Sequence, residues 1–329
     1  MTDHNTPPRF PLGFFPTPLH RLHRLSGRYP DYQLFIKRDD QTGLASGGNK
    51  TRKLEFLVGE ALAQGCDTIV TAGAQQSNHC RQTAAAANVA GMACHLLVRG
   101  AEPKEYTGNL LLSKLLGATI HFCGEEIRAE HSTALLQELR ASGRKPYHTP
   151  VGGSTLTGAL GFAEAARELK EQLESMQLQM DYIVFASCSG GTQAGLLLGK
   201  ALYGLEPSLL PVSIEKTGLG SQALEETVMA IAEEGRGRLG IGKAFDPEDL
   251  ALVRGYDEAG YGVLTRAEKE AIRELAALEG IFLDPVYTGR AFHAMTDMLR
   301  SGRIEPGSNV LFWHTGGLPA NFHYGNQLL

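Results

Sequence analysis

No run of apolar residues in this sequence is long enough to cross a bilayer, which excludes a helical membrane protein. Excess positive charge is also missing. The 31 Lys and Arg against 36 Asp and Glu leave a formal net charge of −5, which removes the electrostatic case for nucleic acid or an anionic membrane surface as a partner. The opening MTDHNTPPRF lacks the apolar stretch of a secretory signal. Cysteine is sparse. Cys66, Cys80, Cys94, Cys123 and Cys188 are odd in number and widely scattered, with no C-x-x-C pair, and read as reduced thiols in a cytoplasmic protein. One H-x-x-H, His20 to His23, lies in a proline-flanked segment without a nearby acid, so no metal site is expected. There is no internal repeat, no low-complexity tract and no Pro/Gly-rich linker.

What is present is an ordinary globular composition, 43% hydrophobic and 20% charged. A chain of 329 residues suffices for two compact units. Short apolar runs alternate with helical patterns from about residue 32 to 214. YQLFIKR, DTIVTAG, ACHLLV, ATIHF and DYIVFAS read as strands. KTRKLEFLVGEALAQG reads as a helix, as do stretches near 107–116 and 125–142, one that follows VGGSTLTGALG and runs to about 174, and TQAGLLLGKALYG. A helix-rich region, about 221–300, ends in one more strand, NVLFWH. Strands interleaved with helices predict an α/β protein with mostly parallel sheets flanked by helices. Without a clear linker, two domains would share a chain that crosses between them more than once.

Two glycine-containing stretches suggest chemistry. In SGGNKTRK, Lys50, Arg52 and Lys53 stand at the start of a predicted helix, where the macrodipole favours acids. Either the cluster is a tolerated, solvated one, or something anionic sits beside it. DYIVFASCSGGTQAG is a strand, a glycine turn and a helix. Backbone N–H groups of Ser189, Gly190, Gly191 and Thr192, with two hydroxyls, would form an anion nest at the helix start. The plainer reading is a tight turn capped by Thr192. No lysine follows the glycines, so this is not a P-loop, and it is not G-x-G-x-x-G. A phosphate cradle without its own lysine, together with a separate lysine at 50, suits pyridoxal phosphate, which needs an amine for its aldehyde and a nest for its phosphate.

In TAGAQQSNHCRQ, Ser77 reads most simply as a helix cap, but the amides of Gln75, Gln76, Asn78 and Gln82 around it could hold a carboxylate and a phenolic oxygen. LDPVYTGRAF turns into a helix with Tyr287 beside Thr288, and a lone tyrosine there would usually be a core residue.

Taken in order, GGNKTRKLEFL, QSNHCRQTAA, SGGTQAG, LDPVYTG and HTGG resemble the pyridoxal-phosphate enzymes of the tryptophan-synthase β-like fold, fold type II. Within it the chain is similar to the D-cysteine desulfhydrase and 1-aminocyclopropane-1-carboxylate deaminase family, from about Arg9 to the C-terminus. The resemblance implies a large domain of residues 1–52 plus 161–329 and a small domain of 53–160, with the cofactor between them, and a homodimer. It implies that Lys50 bonds to the cofactor aldehyde and exchanges protons with the substrate Cα. Asn78 would meet the cofactor's phenolic oxygen. Ser189, Gly190, Gly191 and Thr192 would hold the phosphate, and Lys53 would contribute to the electrostatic setting. Ser77, Gln76 and Asn78 would grip the substrate carboxylate. Tyr287 and Tyr261 would lie near the substrate side chain.

The family's cyclopropane-cleaving members carry a glutamate where this chain has Thr288, and Thr315 is the other candidate partner for the ring nitrogen. A hydroxyl there makes a weaker electron sink than a carboxylate, which favours β-elimination over ring opening. D-Cysteine is therefore the expected substrate, with L-cysteate and the cyclopropane amino acid as alternatives. Two readings of other classes are a non-catalytic binder of the cofactor or an amino acid, and a nucleotide-binding α/β enzyme.

Overall fold

The computed structural model describes residues 8–214 and 223–329. The first seven residues, which belong to the opening read above as non-secretory, lie outside it. The first part of the chain runs β1 (Leu19–Arg21), α1 (His23–Arg28), β2 (Gln33–Arg38), α2 (Lys50–Ala63), β3 (Thr68–Ala74), α3 (Asn78–Val89) and β4 (Ala93–Arg99). It continues through α4 (Gly108–Leu115), β5 (Thr119–Phe122), α5 (Ala129–Ala141), β6 (Pro146–His148), α6 (Leu156–Ser175), β7 (Tyr182–Ser187), α7 (Gly191–Tyr203) and β8 (Ser208–Ser213). After the undescribed segment come α8 (Leu224–Leu239), α9 (Arg266–Glu279), α10 (Thr288–Arg300), β9 (Asn309–His314) and α11 (Asn321–Leu328).

The strands form two sheets, β1-β2-β9-β7-β8 and β5-β4-β3-β6. All their pairings are parallel except that of β1 with β2. Parallel sheets covered on both faces bury most residues of their central strands, which is why these read as apolar runs. On β7 and β9, Ile183, Phe185, Leu311 and Trp313 enter one core, while Val184, Val310 and Phe312 enter another. On the second sheet, Ile69, Leu96 and Val98 face one side, and Val70, Ala72 and Leu97 the other.

Helix α6 was expected to follow VGGSTLTGALG, yet it begins within that stretch, at Leu156. Its glycines are poor helix formers, and tertiary packing overrides that preference. A Cβ added at Gly161 would lie 2.9 Å from the backbone nitrogen of Lys53, so α6 packs directly on the backbone of α2.

The three cations at the start of α2 are separated by the fold. Arg52 is buried with Asp39. Its Nε donates to Asp39 Oδ2 at 2.8 Å, and its Nη1 donates to Glu168 Oε2 at 2.9 Å. The guanidinium stacks over Phe15, 4.5 Å from the ring centroid. Lys37 Nζ joins from β2, donating to Glu168 Oε1 at 2.5 Å and to the carbonyl of Thr17 at 2.7 Å. Two cations and two carboxylates thus balance inside the protein.

Burial acts to raise the Glu168 pKa, but the hydrogen bonds and charge of Arg52, with those of Lys37, bring it from the ordinary 4.5 to about 2. Breaking one partner of a buried pair leaves the others uncompensated, at a cost of about 3–5 kcal/mol. Glu168→Gln is expected to lose about 3 kcal/mol of unfolding free energy at neutral pH. Folding lowers this carboxyl's pKa, so its contribution is complete above the ordinary value and disappears as pH falls through about 2. Denaturant titrations of both proteins at neutral and acid pH check this. The difference should shrink on acidification, and a constant difference would contradict the assignment.

Candidate active site

A cleft opens at the carboxyl ends of β3, β7 and β9, beside the start of α2, where open parallel sheets place their ligands. Counting the open solvent at its mouth it encloses about 680 Å³. Lys50, Ser77, Asn78, Ser189, Gly190, Thr192, Tyr261, Tyr287 and Thr315 line it. The fold therefore gathers residues from 50 to 315 into one cavity.

The distance between Lys50 and the glycine turn decides whether the two stretches act together. They do meet. Asn49, which immediately precedes Lys50, donates from Nδ2 to Thr192 Oγ1 at 3.2 Å. Helix α7 starts from Gly190, whose φ of 82° suits glycine, and that residue offers no side-chain cap. The backbone N of Gly191 donates to a neutral partner, Ser154 Oγ, at 3.2 Å. The amino end of this 13-residue helix therefore faces the cleft with its positive end uncompensated by its own cap. Lys53 sits behind the turn. Its Nζ donates to the carbonyl of Gly152 at 3.1 Å, and a Cβ added at Gly191 would lie 2.8 Å from it. The helix end and the hydroxyls of Ser189 and Thr192 on the cleft wall, with a lysine behind them, are groups of the kind that could hold a phosphate.

Ser77 caps α3 by accepting from Cys80 N at 3.2 Å, and it also lines the cleft. Of the surrounding amides only Asn78 lines the cavity. Gln76 donates to the carbonyl of Thr107 at 3.2 Å and accepts from Asn109 N at 2.9 Å, so it braces the start of α4 instead. Gln75 donates to Ala101 O at 2.8 Å, and Gln82 accepts from Thr51 N at 2.9 Å. These side chains answer backbone groups rather than standing at the cavity wall.

At the far side, the hydroxyls of Tyr261 and Tyr287 hydrogen-bond to each other. Burial, followed for Tyr261 by the nearby Cys188 and for Tyr287 by Tyr261, pushes both phenols above the ordinary value of 10.0, so both stay protonated. Thr288 is turned away from the cavity. Its hydroxyl donates to Asp284 Oδ1 at 2.7 Å and accepts from Asp284 N at 2.7 Å, completing the cap of α10. Thr315 lines the cleft.

Asn49 and His79 are among the lining residues that had no assigned role in the sequence. Asn49 is part of GGNK, and only the long-range contact with Thr192 gives it meaning. The hydrogen-bond network assigns the tautomer of His79. The hydroxyl proton of Thr71 goes to the carbonyl of Thr149 at 2.9 Å, so the same oxygen accepts from His79 Nε2 at 3.0 Å. Nδ1 is then bare and buried without a partner. Burial, then the charges of Lys50 and Lys53, push its pKa well below 6.5, and the ring is neutral. Among the described residues no group of three His, Cys, Asp or Glu could hold a metal, and no helix is long and apolar enough to cross a membrane.

Residues 11–316 match the family described as pyridoxal-phosphate dependent enzyme. The chain is 41% identical to a D-cysteine desulfhydrase of Salmonella paratyphi A, covering 96% of each protein. It is 40% identical to a 1-aminocyclopropane-1-carboxylate deaminase of Burkholderia vietnamiensis, covering 95% of each. A crystal structure of an ACC deaminase homologue superimposes with a TM-score of 0.86 at 38% identity, covering 98% of this chain and 95% of that one.

The cavity fits the cofactor, since Lys50 and the phosphate cradle share one wall. Gly191→Ala, which pushes a methyl group against Lys53, is expected to weaken pyridoxal-phosphate binding about tenfold or more, the weight of one charge-assisted hydrogen bond. Absorbance titration of the apoprotein checks it. Pyridoxal, which lacks the phosphate, should bind both proteins alike.

Proposed function

We propose that this chain, which belongs to the pyridoxal-phosphate dependent enzyme family and is a lyase within it, takes D-cysteine to pyruvate, hydrogen sulfide and ammonia. The names of its relatives divide between desulfhydrase and deaminase at nearly equal identity, so the choice rests on this chain's own cavity. The observation that carries it is the chemistry of the wall. Among the described residues lining the cleft there is no carboxylate, and Thr315 presents a hydroxyl.

When bound, the cofactor supplies an electrophilic carbon and a conjugated ring that together make the substrate Cα–H acidic. Lys50 is the base that takes this proton. Ser77, at the amino end of α3, would hold the substrate carboxylate where the helix N–H groups favour negative charge, and the Asn78 amide would meet the cofactor's phenolic oxygen. Thr315, which lines the cleft, would offer the ring nitrogen a hydrogen bond without a charge to hold it protonated. A weak sink suffices to expel sulfide, whereas opening an unactivated carbocycle needs a stronger one. The Tyr261–Tyr287 pair stays protonated and so can give a proton to the departing sulfur.

The same wall disfavours L-cysteate. A sulfonate is permanently charged and calls for a cation. Among the described lining residues Lys50 is the one cationic side chain, and it is committed to the cofactor and Cα. His79 is neutral.

A panel of D-cysteine, L-cysteine, L-cysteate and 1-aminocyclopropane-1-carboxylate, with sulfide, sulfite and keto acid read together, tests the assignment. D-Cysteine is expected to exceed the cyclopropane substrate in kcat/KM by about hundredfold or more. Comparable formation of 2-oxobutanoate, or sulfite as the favoured product, would overturn it. Tyr287→Phe should lower kcat for sulfide release about hundredfold, the lower range for losing a general acid, with little change in the cofactor's affinity.

A further inference from the structure

Arg81 on α3 is fully buried, and among the described residues no acidic side chain pairs with it. Burial alone lowers its pKa, to about 10, so the guanidinium remains charged at neutral pH. An unpaired buried cation is expensive, and proteins usually avoid one. The chain pairs its other deeply buried arginines, Arg52 with Asp39 and Arg290 with Glu268. Arg81 instead donates to neutral oxygens. Its Nη1 reaches Asn109 Oδ1 at 2.7 Å and Asn78 Oδ1 at 3.3 Å, and its Nη2 reaches the carbonyl of Gly47 at 2.6 Å.

A guanidinium has donors only, so every amide that faces it must turn its oxygen inward. Asn109 presents Oδ1 to Arg81. Its Nδ2 then donates to Asn78 Oδ1 at 2.9 Å and to the carbonyl of Gln76 at 3.0 Å. Two donors thus converge on Asn78 Oδ1, and the N–H side of that amide is left for the cleft that Asn78 lines. The remaining contact, to Gly47, fixes the loop that carries Lys50 three positions later.

We propose that Arg81 is a positioning residue for the cofactor. Its guanidinium fixes the Asn78 amide with its N–H side to the cleft, and stands behind it as a positive charge without a counter-ion. Together these hold the cofactor's phenolic oxygen in its ionised form. The charge left unpaired in the protein is matched by the anion of the ligand, which explains why no acid accompanies it. The proposal rests on the reading of Asn78 as the residue that meets this oxygen.

Absorption spectra of the cofactor-loaded enzyme test it without reference to turnover. Arg81→Gln is expected to move intensity from the visible band of the ionised phenol to the near-ultraviolet band of the neutral phenol. The ratio of the bands should fall about tenfold, the weight of one charge-assisted hydrogen bond. Arg81→Lys keeps the charge, but one ammonium cannot span Asn109 and Gly47 as the planar fork does, and it should fall between. An unchanged ratio in folded Arg81→Gln overturns the proposal. Should that variant not fold, Asn109→Ala removes one donor from Asn78 and is read instead. A fall of about threefold, one neutral hydrogen bond, supports the proposal and an unchanged ratio overturns it. Asn78→Ala separates the two claims. An unchanged ratio there removes the reading of Asn78 and the proposal with it. A fall in Asn78→Ala without one in Arg81→Gln overturns the role of Arg81 alone.

Discussion

The grip of Arg52 on Asp39 and Glu168 is the contact on which the site depends. It pins the first turn of α2 to the turn that follows β2 and to α6, and Lys50 and Lys53 are carried on that first turn. Cations at a helix amino end oppose the macrodipole by about 0.3–1 kcal/mol each. A buried, bidentate ion pair broken on one side costs about 3–5 kcal/mol. The ion pair outweighs the dipole, so the helix starts with bases. The three bases then part. Arg52 takes carboxylates that the fold supplies, Lys53 donates to the carbonyl of Gly152 behind the cleft, and Lys50 lines the cleft itself.

Charge is apportioned by the same logic across the cavity. Where a cation has only structural work, an acid accompanies it, as Asp39 does for Arg52 and Glu268 for Arg290. Around the cleft, positive groups gather instead. The amino ends of α3 and α7 open on it, and Lys53 and Arg81 stand behind its wall. His79 lies among these charges and stays neutral, because burial and the two lysines remove its proton. On the function proposed above, a ligand with a phosphate, a phenolate and a carboxylate would supply the balancing negative charge. Its binding and the relief of repulsion within the protein are then one event, since each anion meets a desolvated positive group.

Much of this was readable from the sequence, for physical reasons that differ by element. Parallel strands buried on both faces leave continuous apolar runs, so β3, β7 and β9 stood out. The glycine turn and Lys50 were visible because few folds need those residues together at helix starts. Edge strands of three residues, β1 and β6, carry too little pattern to be seen. The start of α6 was misplaced because Gly158 and Gly161 signal a break locally, while close packing on α2 makes them helical. The amides near Ser77 looked alike in sequence. Which of them faces the cavity depends on Asn109 and Thr107, about thirty positions away, and no local pattern encodes that.

The hydroxyl at position 288 shows how tightly the reaction is tied to the fold. Asp284 accepts from the backbone N–H groups of Val286, Tyr287 and Thr288 and from the Thr288 hydroxyl. It is completely buried, and a Cβ on Gly317 would lie 2.6 Å from its carboxyl carbon, so it has no room to move. A carboxylate at 288 would face this one across a hydrogen-bond length. Two such groups in a desolvated site cannot both ionise, and one would hold a proton. A change of residue 288 alone would thus disturb the cap that carries Tyr287 before it strengthened the electron sink. The placing of the tyrosine pair rests on one buried acid, and Thr288 keeps that cap intact by donating a hydrogen bond and bringing no charge.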